Sequence, residues 1–191
     1  MSYFETKSLL QNTLQTPIQA DVSQTKYPCT GFCYMVVKNI DKILDLYDNK
    51  KSDEYYEFIK NLILQAGERK KNNSQIPFDG EYINADTVKN DFSDVYQKLE
   101  YKELGSVVDG EYDDLIINNI AILLFNINQK GFIIVNRSSE TFVAIKKSDE
   151  YFLIVDSHQN INGEVDFIGL CNYITKKNDY QGIIQLGIDY N

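Results

Sequence analysis

Asp156-Ser157-His158 places a carboxylate and an imidazole one residue apart, and His158 is the only histidine in this 191-residue chain. The five residues before it, Tyr151-Phe-Leu-Ile-Val155, read as a buried strand. Side chains alternate along a strand, so Asp156 and His158 are expected to project from one face. A carboxylate placed there accepts the proton on one ring nitrogen, fixes the tautomer and raises the basicity of the other. These are two members of a nucleophilic triad. A lone histidine at a strand end is more often a plain loop residue, but the same-face aspartate weighs against that reading.

The candidate nucleophile is Cys29, which follows Pro28 and opens a stretch of helical periodicity. Free N–H groups and the positive end of the dipole at a helix start favour thiolate over thiol. The bland alternative is a small buried apolar residue, the usual fate of a free cysteine, and Cys33 and Cys171 are read that way. Serine is a poorer candidate because the chain has no Gly-x-Ser-x-Gly elbow. Acids are abundant but none stand out as a glycosidase pair, and no Gly-rich phosphate loop is present. One histidine and three cysteines without paired spacing make a zinc site an unattractive reading, so neither metal nor cofactor is expected.

The elements that must position these groups divide the chain. Residues 1–28 are a lead-in of poor periodicity that carries three candidate amides, Gln15, Gln19 and Gln24. Residues 29–105 read as helical. The first helix has one apolar stripe over 31–47, the second spans 52–70 with Asp53 and Glu54 in its first turn, and the third starts at Asp86 and ends before Gly105. Residues 106–191 hold an acidic loop at 107–114 and then apolar runs at 115–118, 120–126, 131–136, 141–145 and 150–156. After His158 come a Gly-containing turn at 159–163, a short helix capped by Asp166, and a last strand from Gly182. Helices first, strands later and one helix returning is an α+β pattern, and 191 residues make one domain the default.

Composition narrows the partner. Nineteen basic against 28 acidic side chains give a formal charge of −9, which argues against nucleic acid or an anionic membrane surface. No apolar run reaches membrane-spanning length and the first residues are polar, so neither a membrane span nor a secretory leader is expected. An odd number of cysteines points to a reducing, intracellular compartment.

Residues 151–160, with Gly163 soon after, resemble the tyrosine-rich strand, Asp-Ser-His run and following glycine of the herpesvirus large-tegument-protein deubiquitinases, and of related cysteine proteases fused to mobile elements. Cys29-Thr-Gly-Phe-Cys33 is similar to that group's Cys-x-x-x-Cys, whose first cysteine is the nucleophile. Gln19-Ala-Asp21 resembles its upstream oxyanion-hole glutamine, and the closing helix and strand resemble the way those domains end. The chain departs from the pattern at Pro28, where the family usually has a polar residue, and at Gly31-Phe32, where it has small polar ones. Gln19 also lies nearer the cysteine than the family's spacing, which keeps Gln15 and Gln24 open for the oxyanion role.

The resemblance implies a papain-like cysteine-protease fold, with a helical subdomain packed on a mostly antiparallel sheet and Cys29 facing His158 across the junction. It implies that Cys29 attacks a carbonyl at the Gly-Gly end of ubiquitin or a ubiquitin-like protein, His158 protonates the leaving amine, and Asp156 orients His158. Gln19 and the Cys29 N–H would hold the oxyanion, each donor contributing about 3–4 kcal/mol. Acidic segments at 79–81 and 109–114 would steer the arginines of such a tail, or are solvated loops. A viral or parasite-like source acting in the host cytoplasm or nucleus follows from the resemblance alone.

Two rival functions stand beside it: a catalytically inactive ubiquitin- or protein-binding module of the same fold, and a papain-like deamidase or amidase. Papain-like enzymes usually carry histidine at the start of one strand and its partner on the next. The equivalent early position here, Thr141-Phe142, holds none.

Overall fold

The computed structural model describes residues 10–22, 29–73, 92–96, 103–106, 131–137, 141–175 and 182–187. In chain order the strands are β1 (Gln11–Gln15), β2 (Glu103–Ser106), β3 (Phe132–Arg137), β4 (Thr141–Lys146), β5 (Tyr151–Val155), β6 (Ile161–Asp166) and β7 (Gly182–Gly187). The helices are α1 (Gln19–Val22), α2 (Cys29–Lys38), α3 (Ile40–Asp48), α4 (Ser52–Asn73), α5 (Ser93–Tyr96) and α6 (Phe167–Thr175). The strands form one sheet in the order β1-β6-β5-β4-β3-β7-β2, with antiparallel pairing at every step. The fold class is α+β.

The apolar runs at the centre of this sheet are continuous because both of its faces are covered. Ile134, Val143, Ile145, Leu153 and Val155 meet Phe32, Val36, Ile59 and Ile63 of the helices on one face. Ile133, Val135, Phe142, Ala144, Phe152 and Ile154 form a second core on the other face with Val165, Leu170 and Tyr173. Large apolar side chains buried this completely stabilise by about 1.5–3 kcal/mol each. β4 is buried at all of its residues.

The single helix expected over 31–47 is two helices. Asn39 sits between α2 and α3, and its side-chain amide donates to Met35 O at 2.7 Å, competing with the backbone ladder. Its apolar stripe describes α3 alone, since α2 is buried from Gly31 to Val37 on every side. Gly31 lets the segment at Phe92 approach, for a Cβ there would lie 2.6 Å from the Phe92 ring.

Three further expectations change. The lead-in is not merely an approach: residues 11–15 form edge strand β1 on β6. Gly163 is a strand residue rather than part of a turn, since β6 begins at Ile161. Its bare Cα lets β1 close on β6; a Cβ would meet Gln11 O at 2.8 Å and Thr13 Cγ2 at 2.9 Å. Glu103 to Ser106 pair with β7 instead of finishing a helix. Of that third helix only α5 falls within the described residues, and the runs at 115–118 and 120–126, the segments at 79–81 and 109–114, and Gln24 lie outside them. Among the described residues no helix is long and apolar enough to cross a membrane.

Candidate active site

β5 ends at Val155, so Asp156, Ser157 and His158 occupy a turn rather than extended strand. Alternation is therefore not what brings carboxylate and imidazole together. Asp156 Oδ1 accepts both the backbone N–H of His158 and its ring Nδ1, each at 3.0 Å, a local aspartate turn closed by its own side chain. The Gln159 N–H bonds back to Asp156 O at 3.3 Å. Donating from Nδ1 to the carboxylate directs Nε2 away from Asp156.

Asp156 is almost wholly buried, and a buried carboxylate must be satisfied by donors. Its second oxygen, Oδ2, accepts the phenol of Tyr173 at 2.8 Å. Its backbone N–H donates to Asn162 Oδ1 at 3.3 Å, and Asn162 Nδ2 donates in turn to the Tyr55 phenol at 2.9 Å. Tyr173 comes from α6, where the sequence reads only as apolar spacing, and it stands edge-on to Phe142 with ring centres 4.9 Å apart.

Cys29 is the first residue of α2, which packs on β4. β4 begins and β5 ends at the same side of the sheet, since Val143 lies opposite Val155. The Cys29 thiol consequently lies near enough to His158 and Thr141 for both to act on its titration. Thr141 also pairs its hydroxyl with that of Thr30 at 3.1 Å. Burial pushes the Cys29 thiol up, but His158 and Thr141 beside it overcome this, and the net shift is downward. For His158, burial opposes the proton, yet Asp156 and Cys29 raise its value to about 10. The two shifts favour a thiolate–imidazolium pair. Cys33, one turn along, is held well above the ordinary thiol value by burial, with the charges of Cys29 and Asp156 adding to it. Burial raises Cys171 to about 11. All three cysteines are buried and stand outside any disulfide.

Gln19 opens α1 and reaches the same place. Its Nε2 stands 3.2 Å from His158 Nε2, its Oε1 accepts the Ser157 hydroxyl at 2.7 Å, and its backbone N–H donates to Ser157 O at 2.8 Å. Gln15 is exposed on β1. Of the amides within the described residues, Gln19 is the one set against the imidazole. Gln19, Cys29 and the Asp156–His158 pair, drawn from three places in the sequence, thus share one site.

The arrangement is equipped for attack by sulfur on an acyl carbon. A thiolate lies beside an imidazolium that can return a proton, a carboxylate fixes the ring, and an amide donor lies alongside the unpaired N–H groups that any helix start presents. Tyr173, Asn162, Thr141 and Ser157 contribute to it without having been singled out in the sequence as site residues. Only the strand-start position of Thr141 carried a signal, as the place where a papain-like histidine would stand. Among the described residues no group of three or more His, Cys, Asp or Glu side chains could hold a metal ion. No protein-family model matches this chain, and no curated protein matches it.

Proposed function

We propose that the chain is a cysteine-dependent hydrolase of the Cys–His–Asp type, with a papain-like arrangement of helices on an antiparallel sheet. Cys29 is the nucleophile, His158 the acid and base, Asp156 its orienting partner and Gln19 an oxyanion donor. The observation that carries this reading is the convergence on His158 of residues far apart in the chain: Asp156 Oδ1 at 3.0 Å from Nδ1, Gln19 Nε2 at 3.2 Å from Nε2, and Cys29 near enough that the thiol is shifted down and the imidazole up. That convergence also favours catalysis over an inactive binding module, in which thiol and ring need not come together.

The substrate follows from the resemblance of residues 151–163 to the tegument deubiquitinases: a peptide or isopeptide bond after the Gly-Gly tail of ubiquitin or a ubiquitin-like protein. The thiolate attacks the terminal glycine carbonyl, His158 protonates the departing amine, and water then releases the thioester with His158 acting as base.

Labelling with ubiquitin carrying a C-terminal vinyl ester tests both parts. A single adduct is expected, lost in Cys29→Ala and retained in Cys33→Ala and Cys171→Ala. Labelling that survives Cys29→Ala removes the nucleophile assignment. Alkylation of Cys29 by iodoacetamide without any ubiquitin adduct removes the substrate and leaves the thiol chemistry, the result expected of a deamidase or amidase.

A further inference from the structure

Ser157 is buried to 1% exposure between the two residues that form the aspartate turn, and no step above uses it. It touches Gln19 twice, its hydroxyl donating to Oε1 at 2.7 Å and its carbonyl accepting the backbone N–H at 2.8 Å. A primary amide has two ends of similar size, and only the NH2 end can stabilise an oxyanion. Oε1 carries no proton, so the hydroxyl hydrogen points to it and Nε2 is turned to the opposite side, where it faces His158 Nε2 at 3.2 Å. Once His158 is protonated, its Nε2 no longer accepts from the amide, and that contact stops holding Gln19. Neither contact with Ser157 depends on the protonation of the ring.

We propose that Ser157 is the positioning residue of the oxyanion donor, clamping Gln19 so that its NH2 group faces the attacked carbonyl while His158 is charged. The inference rests on the thiol-hydrolase reading but not on the identity of the modifier, so its test uses no ubiquitin. The wild-type chain is compared with Ser157→Ala, Gln19→Ala and the double variant. The three measurements are hydrolysis of the nitrophenyl ester of acetylglycylglycine, alkylation by iodoacetamide, which forms no oxyanion, and the Gln19 side-chain NH2 signal in a ¹⁵N spectrum, assigned by its loss in Gln19→Ala.

Ser157→Ala is expected to lower kcat about 10- to 100-fold, short of the roughly 10²–10³ that follows deletion of an oxyanion donor, with KM and the alkylation rate changed less than about threefold. It should shift the Gln19 signal, and in the double variant it should add less than about twofold to the loss in Gln19→Ala. Additive losses, or an unmoved Gln19 signal, overturn the proposal. Should Ser157→Ala not fold, the wild-type chain still decides: Gln19 side-chain hydrogens must exchange more slowly than those of exposed Gln65, and equal exchange overturns the clamp. A wild-type chain inert toward the ester refutes the hydrolase reading, while the ¹⁵N measurements continue to decide whether Ser157 holds Gln19.

Discussion

The phenol of Tyr173 donates to Asp156 Oδ2 at 2.8 Å, on the carboxylate oxygen opposite the one that faces His158. One buried oxygen is thus given to the imidazole and the other to α6. The carboxylate cannot rotate out of line without breaking a bond at both ends, and its charge is met by donors rather than by water. The triad therefore continues one residue further than its chemistry requires.

Tyr173→Phe keeps the ring against Phe142 and removes only this donor. Loss of a hydrogen bond to a buried charge is expected to lower stability by about 1.5–3 kcal/mol, read from the urea midpoint. With one donor gone the carboxylate is held at one end only and orients His158 less firmly, so kcat/KM should fall. A variant that is less stable but keeps the wild-type kcat/KM would make Tyr173 a packing residue only.

The pH profile of the wild-type chain follows from the opposed shifts at Cys29 and His158. Acid protonates the thiolate, and alkali strips the imidazolium of the proton that the leaving amine needs. Activity should rise through a thiol value below the ordinary cysteine range and fall near pH 10, where His158 loses its proton. Thiolate absorbance near 240 nm should climb along the acid limb. A single rise at an ordinary cysteine value, with no alkaline fall, would contradict the ion pair.

Gly163→Ala tests how tightly β1 closes on β6. The added Cβ meets Gln11 O and Thr13 Cγ2 below 3.0 Å, and one of these contacts is backbone that cannot swing aside. Strain of about 1–3 kcal/mol is expected in denaturant unfolding. Because β1 leads directly to Gln19, turnover should drop as well, while the acid limb set by the Cys29–His158 pair stays in place. Wild-type stability in this variant would mean that the strand gives way freely.

Tyr55→Phe addresses the polar chain behind the turn. Asn162 Nδ2 donates to the Tyr55 phenol, and both residues are buried. Removing the acceptor strands an amide hydrogen at a cost of about 1–3 kcal/mol. Asn162 Oδ1 would still bond the Asp156 N–H, so thermal or urea stability should fall more than kcat does. A loss confined to kcat would contradict this division.

Strands β3, β4, β5 and β7 were legible as apolar runs bounded by turn residues, and helix α4 by Ser52, the acids of its first turn and its apolar spacing. Cys29 and the Asp156–His158 pair were legible as chemistry, since a thiol opening a helix and a carboxylate beside the sole imidazole carry their meaning in residue type. β1 was not. Gln11-Asn-Thr-Leu-Gln15 is polar and exposed along nearly its whole length, and it becomes a strand through the bare Cα of Gly163 across the gap. The reason Asp156 and His158 meet was misread as well, since a turn closed by a side chain looks like the last residues of a strand when only order is known. Tyr173 matched an apolar helix face so well that its hydroxyl drew no notice. The break at Asn39 depends on a side chain choosing the Met35 carbonyl, a competition that apolar periodicity does not register.

Edge strand β1 has a consequence for handling the protein. It covers the outer hydrogen-bonding edge of β6 and carries the segment that delivers Gln19. A protease nick ahead of Cys29, followed by release of the leading fragment, would bare a row of unpaired backbone groups and remove the amide in one event. Such a preparation would clump and go silent together, and a synthetic peptide of residues 10–22 added back should restore both properties.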